Sequence, residues 1–150
     1  MSETPRTGAA PEPVRREIDI EVRYAETDQM GVVHHSNYVV WFEQARTHLC
    51  LASGFHYAEI EELGYYLVVT RTETRHLTGA LYGDIVRVGA QLDRYTSRGL
   101  RFVYDVRRGD DEVLTTGATE HVWVERATRR PCRIPSQVRG SFRRLAGLDG

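Results

Sequence analysis

Between Glu17 and Tyr24 apolar and polar positions alternate strictly, with Ile18, Ile20, Val22 and Tyr24 on one side and Glu17, Asp19, Glu21 and Arg23 on the other. A period of two is that of a half-buried strand. After a turn-like stretch from Glu26 to Gly31 the period changes: Tyr38, Phe42, Ala45 and Leu49 recur at spacings of four, three and four, which draws one apolar stripe along a helix. Ser36 or Asn37 supplies an N-cap and Gly54 lies just past the far end, so the pattern predicts a helix from Ser36 to Ala52. Val39, Val40, Trp41, Phe42, Ala45, Leu49 and Leu51 cover more than one face of it and leave Glu43, Gln44 and Thr47 as a narrow polar arc, the pattern of a mostly buried helix.

Downstream the chain turns to strands. Tyr65 to Arg75 is rich in Tyr, Val and Thr; Ile85 to Leu92 sets Val86, Val88 and Leu92 on one face; Leu100, Phe102, Tyr104 and Val106 alternate; and Arg108-Gly109-Asp110-Asp111 reads as a hairpin turn into a long strand from Glu112 to Glu125. A tail helix is expected from Pro135, with Val138, Phe142 and Leu145 as its apolar face. One strand, one long helix and four mostly antiparallel strands make an α+β domain, in which a curved antiparallel sheet of about five strands wraps one long central helix.

At 150 residues and 41% hydrophobic content the chain suffices for one domain with its own core. Residues 1–16 carry Pro5, Pro11 and Pro13 without an apolar run, so they read as a disordered N-terminal arm that is neither signal peptide nor membrane span, and residues 17–146 as the domain. With 20 basic and 21 acidic residues the formal charge is -1, which gives no global pull toward nucleic acid or a membrane surface. Cys50 and Cys132 are far apart and form no CxxC motif, which fits a reducing, cytoplasmic setting.

The densest set of chemically capable residues runs from Tyr24 to Tyr38, between the first strand and the helix N-terminus. A helix start presents unpaired backbone N–H groups and the positive end of the macrodipole, which suits a carbonyl oxygen gaining negative charge. Asp28 stands just upstream of that electrophilic end, where a carboxylate attacks a carbonyl directly or takes a proton from water. For an isolated Asp before a Gly the commoner role is a turn residue whose side chain accepts a nearby N–H; Gly31, which permits close approach or positive φ, and the apolar Val32 and Val33 argue for more.

Arg23-Tyr24-Ala25-Glu26-Thr27-Asp28 together with Gly31-Val32-Val33-His34-His35-Ser36-Asn37-Tyr38 resembles the signature of the 4-hydroxybenzoyl-CoA thioesterase family of hotdog-fold enzymes. The nearest subgroup by resemblance is the bacterial acyl-CoA thioesterases, including the type associated with the Tol-Pal envelope system, and the likeness extends through Trp41-Phe42-Glu43-Gln44-Ala45-Arg46. The resemblance implies a hotdog-fold acyl-CoA thioesterase with Asp28 as catalytic nucleophile or general base. It makes the backbone N–H of His35 the donor to the thioester carbonyl, and makes Tyr24, Gly31, Val33, His34, Asn37 and Tyr38 pocket residues. His34 stands where Tyr or Phe is frequent in the family, which makes the pocket wall more polar. A second hotdog lineage carries its carboxylate on the central helix, so Glu43 is a reserve catalytic candidate, weighed against an ion pair with Arg46.

The adjacent His34 and His35 show no metal-ligand spacing with the other histidines, so no metal is expected, and no cofactor beyond the CoA part of the substrate. Arg94, Arg98 and Arg101, or Arg126, Arg129, Arg130 and Arg133, are candidates for CoA phosphates. The competing functions are hydrolysis of acyl groups on an acyl-carrier protein and a non-catalytic acyl-CoA-binding domain. An open sheet edge makes a homodimer or homotetramer the expected assembly.

Overall fold

The computed structural model describes residues 12–148. Residues 1–11 of the expected arm lie outside the described residues, whereas Arg15 and Arg16 belong to the first strand, β1 (Arg15–Glu21), which starts and ends earlier than its alternation suggested. Val22 still turns inward, but Tyr24 opens a 3-10 turn (Tyr24–Glu26) and is 76% exposed. The helix α1 (Ser36–Leu51), the short α2 (Tyr57–Glu62), then β2 (Tyr65–His76), β3 (Ile85–Tyr95), β4 (Gly99–Arg108), β5 (Glu112–Glu125) and α3 (Ser136–Leu145) follow. The five strands form one sheet in the order β1-β3-β4-β5-β2, antiparallel at every junction.

The alternation read along β4 is realised in full: Leu100, Phe102, Tyr104 and Val106 are buried. They meet Val86, Val88, Ala90 and Leu92 of β3 and Trp123 of β5 in a core against Trp41, Phe42, Ala45 and Leu49 of α1. Each such side chain contributes roughly 1.5–3 kcal/mol by leaving water. The helix packs on β1 and β3, and its Phe42 ring reaches across to β4 and β5, stacked on Tyr104 at 4.4 Å between ring centroids with its edge over Gly117, where a side chain has no room. Val138, Phe142 and Leu145 bury the apolar face of α3, and Phe142 meets Trp123 edge-on at 5.5 Å. The other sheet face carries ion pairs, among them Arg15 with Asp105 at 2.8 Å, Arg94 with Glu120 at 3.5 Å, and Arg101 with Asp93.

One expectation needs correction here. The helix is not buried around most of its circumference: Val39, Val40 and Leu51 are 39%, 50% and 48% exposed, because the sheet encloses the arc holding Trp41, Phe42, Ala45 and Leu49 and leaves the opposite side open. The helix α2 was not foreseen. It is held by a reciprocal cap in which His56 Nδ1 accepts the Ala58 N–H and Glu59 accepts the His56 N–H. The sheet edges also differ. β1 has seven residues, five of them charged, whereas β2 has twelve and exposes Val68 and Val69, so β2 is the edge open to pairing. Among the described residues no helix is long and apolar enough to cross a membrane.

Candidate active site

The segment between β1 and α1 is a miniature hairpin. His34 N–H donates to Glu26 O (2.8 Å), Thr27 bridges Val33, and Asp28 N–H donates to Val32 O (2.9 Å). Gly31 N–H then closes the turn on Asp28 O at 3.0 Å, with Gly31 at φ +83°, a conformation that a side chain would strain. The hairpin is tied from behind where Val33 N–H donates to Ala80 O (2.9 Å) and Val32 bridges Leu81. Asp28 thus sits at the tip of a loop fixed along both arms.

Two side chains join this hairpin to the helix. Glu26 is buried; its Oε1 accepts the Arg23 N–H at 2.8 Å and its Oε2 the indole N–H of Trp41 at 3.0 Å. Burial alone would raise its pKa, but the hydrogen bonds from Arg23 N–H, Trp41 and the Arg23 guanidinium outweigh that and hold the carboxyl below the ordinary range. Asn37 Nδ2 donates to Glu26 O (3.0 Å) and His34 O (3.2 Å). Asn37 therefore pins the loop, and neither it nor Ser36 forms the expected N-cap.

The helix start is organised by histidines. His34 Nδ1 accepts the Ser36 N–H at 3.2 Å and lies 2.9 Å from Ser36 Oγ, while Asn37 N–H bonds to His34 O. His35 occupies the cap position, and its own N–H has no hydrogen-bond partner among the described residues. The first turn therefore offers one free donor at the residue singled out for carbonyl binding. The His34 and His35 rings stack at 4.1 Å.

Asp28 is half-buried, and its Oδ1 accepts the Met30 N–H at 2.8 Å, the ordinary turn role of Asp before Gly. Oδ2 has no such partner among the described residues. An open depression collects Tyr24, Asp28, His34 and Asn37 with Thr27 and Ser36; a second, of about 240 Å³, collects Val33, His35 and Tyr38 with His76 and Gly79. The predicted residues thus divide between two depressions flanking the start of α1, except Gly31, which lines neither and serves the turn that carries Asp28. Val33 is almost wholly in the core, so it contributes packing more than surface.

His76 was missed in the sequence. It comes from the end of β2, packs on Tyr38 at 5.0 Å, and lies 3.2 Å from Thr115 Oγ1. Burial, then the neighbouring His35, lowers its pKa. Nothing in local spacing joins positions 35 and 76. Glu43 lies apart from both depressions, two turns along α1, with its side chain 67% exposed and 4.0 Å from Arg46. Of the arginines considered for CoA, Arg94 and Arg101 are engaged by Glu120, Asp93 and Glu73, and Arg126 donates to Glu61 O. Among the described residues Arg130 and Arg133 have no carboxylate partner, and no group of three or more His, Cys, Asp or Glu side chains is placed to hold a metal.

Comparison with known proteins agrees with this architecture. Residues 22–142 match the Thioesterase-like superfamily. Bacillus subtilis YneP, named as a candidate acyl-CoA thioesterase, is 33% identical over 77% of this chain and 84% of its own length. A DHNA-CoA thioesterase of Staphylococcus aureus superposes with a TM-score of 0.76 at 34% identity, covering 79% of this chain and 80% of that one. A hypothetical protein of Thermus thermophilus reaches 0.82 at 36% identity over 88% and 98%. Sheet order, enclosed helix and family match together make the chain a hotdog-fold thioester hydrolase that belongs to the Thioesterase-like superfamily.

Proposed function

We propose that the chain hydrolyses acyl-CoA to free acid and CoA, with Asp28 as the catalytic carboxylate and the His35 N–H as carbonyl donor. The observation that carries this reading is the His35 N–H at the start of α1, one hairpin arm away from the Asp28 carboxylate, where neither that N–H nor the second carboxylate oxygen has a partner among the described residues. The thioester oxygen accepts from His35 N–H, and the developing oxyanion is favoured by the helix end. Asp28 takes a proton from water as the water oxygen bonds to the carbonyl carbon, and collapse breaks the C–S bond and expels CoA thiolate. In direct attack the carboxylate oxygen bonds to the carbonyl carbon, the C–S bond breaks to expel CoA thiolate, and water hydrolyses the resulting acyl anhydride to the free acid and the regenerated carboxylate. No metal or cofactor enters either route.

Names among the relatives support a CoA thioester as substrate, and the proteins named YbgC, 22–26% identical, agree with the bacterial acyl-CoA thioesterase subgroup, here read as the Tol-Pal-associated type acting in the cytoplasm. The long open edge of β2 and the exposed Val39 and Val40 favour a homodimer with a continuous sheet.

The test is thiol release from a panel of acyl-CoAs on wild type and Asp28→Asn, with the same acyl groups on an acyl-carrier protein as the competing substrates. Asn keeps an oxygen for the Met30 N–H, so the turn survives. Loss of turnover in a folded Asp28→Asn protein supports the mechanism; near wild-type rates sink it.

A further inference from the structure

A cavity of about 370 Å³ opens between α1, α2 and β2, lined by Glu43, Arg46, Thr47, Tyr57 and Leu67 and backed by His121 of β5. It lies in the size range of small-molecule sites. It is separate from both depressions at the helix start, yet in register with them: His35, Val39, Glu43 and Thr47 follow at intervals of four along one ridge of α1. From Ser36 to Glu43 the helix rises roughly 10 Å. An acyl group whose carbonyl rests on His35 N–H would reach the cavity with its far end after crossing the exposed Val39.

The polar wall of this cavity is unusual. Arg46 is buried at 7% exposure, and its nearest carboxylate among the described residues is the solvated Glu43 at 4.0 Å. Its close partners are phenols: Nε donates to Tyr57 Oη (2.9 Å) and a terminal N–H to Tyr104 Oη (3.0 Å). A buried cation without a close anion is costly and attracts one.

A guanidinium only donates, so Tyr104 accepts from Arg46. The arrangement that then uses every hydroxyl proton runs from Tyr104 to Thr119 Oγ1 at 2.6 Å and from Thr119 to His121 Nε2 at 2.8 Å. The ring is neutral, since burial, then the Arg46 charge, push its pKa down to about 3. In that arrangement the remaining His121 proton is on Nδ1, which is buried and has no partner among the described residues. Trp123 Nε1 is likewise unpartnered among the described residues, but Trp123 does not line this cavity. Tyr57, which accepts from Arg46 and keeps its phenol protonated by burial, has besides Arg46 only the weak sulfur contact of Cys50 Sγ at 3.7 Å among the described residues, so its proton too can go to a better acceptor.

We infer that this cavity receives the far end of the acyl group and selects acyl-CoA substrates that carry an acceptor oxygen there, a carboxylate or a phenolic hydroxyl, through Arg46, Tyr57 and His121. The inference rests on the hydrolase reading above for the position of the thioester. The acceptor oxygen supplies what the wall lacks: an anion or dipole for Arg46 and an acceptor for the Tyr57 and His121 protons. A plain aliphatic end would leave all three unanswered.

The experiment compares kcat/KM for two matched pairs, octanoyl-CoA against its ω-carboxyl analogue and 2-naphthoyl-CoA against its 6-hydroxy analogue, on wild type, Tyr57→Phe and His121→Phe. Wild type is expected to favour the oxygen-bearing member of one pair by at least about tenfold, and each variant to bring that ratio to within about threefold. The pair that responds tells carboxylate from phenol. A wild-type ratio near one in both pairs, or a ratio unchanged in both variants, overturns the inference. If His121→Phe does not fold, Tyr57→Phe, which removes a single oxygen, decides. If no thioester is cleaved, the hydrolase reading fails separately, and calorimetric titration of octanedioic and 6-hydroxy-2-naphthoic acids takes over. Binding weakened by the variants keeps the site, and equal or absent binding removes it.

Discussion

The Glu26 carboxylate accepts the Trp41 indole N–H at 3.0 Å, which bonds the active-site hairpin to the central helix through two buried side chains. Glu26→Gln places an amide N–H against one of the donors the carboxylate accepts, and is expected to cost about 1–3 kcal/mol at neutral pH. The Glu26 carboxyl titrates below its ordinary value of 4.5, so its stabilising contribution is complete above that value and is lost as pH falls through it toward the lower folded value. Denaturant unfolding of both proteins at pH 7 and at about pH 3 checks this: the gap between them should close in acid.

His34 is the acceptor that satisfies the Ser36 N–H and leaves His35 N–H as the free donor of the first turn. His34→Ala should lower stability by about 0.5–2 kcal/mol, as for other lost caps. It also frees a second N–H beside the first, so a loss of kcat beyond the loss of stability is expected. His34→Asn, whose side-chain oxygen reaches the same N–H, should recover most of both. Unfolding midpoints and thiol-release rates on the three proteins decide it.

How much of this could be read from the chain depends on whether the signal is local. β4 was legible because one face meets a core and the other meets water, so Leu100, Phe102, Tyr104 and Val106 alternate with polar residues. The hairpin and helix start were legible because Tyr24 to Tyr38 is contiguous. Val39 and Val40 misled because an apolar residue on a helix is assigned to its own core, whereas here those positions face outward in the single chain. α2 was missed because six residues are too few to show a period. The relay from Arg46 through Tyr104 and Thr119 to His121 joins α1, β4 and β5, and no spacing in the sequence announces it.

The buried His121 gives the fold a second acid sensitivity. Its folded pKa of about 3 lies below the ordinary 6.5, so between those values the unfolded chain binds the proton and the folded one does not. Stability from this residue is complete above about pH 6.5 and declines as pH falls toward 3. In His121→Phe the fall in unfolding free energy between pH 7 and pH 5, a window above the Glu26 transition, should be smaller than in wild type. An identical slope in the two proteins would place the titration elsewhere.

Gly117 marks where the Phe42 ring of α1 meets the sheet with no room left for a side chain. A Cβ there would stand 2.7 Å from Phe42 Cζ and 2.8 Å from Glu73 O, and neither can yield freely, because Phe42 is wholly buried and stacked on Tyr104 while the carbonyl belongs to β2. Overpacking of a tight core costs typically about 1–3 kcal/mol, so Gly117→Ala should lower stability by that amount. The helix carries His35 at its start, so a shift of α1 away from β5 would also move the carbonyl donor relative to Asp28 and reduce kcat. Phe42→Leu removes the ring that obstructs the new methyl and costs stability by itself; combined with Gly117→Ala it should cost less than the sum of the two single changes. A double-mutant cycle on unfolding free energy reads that coupling, and strict additivity would mean that the obstruction comes from the Glu73 carbonyl alone.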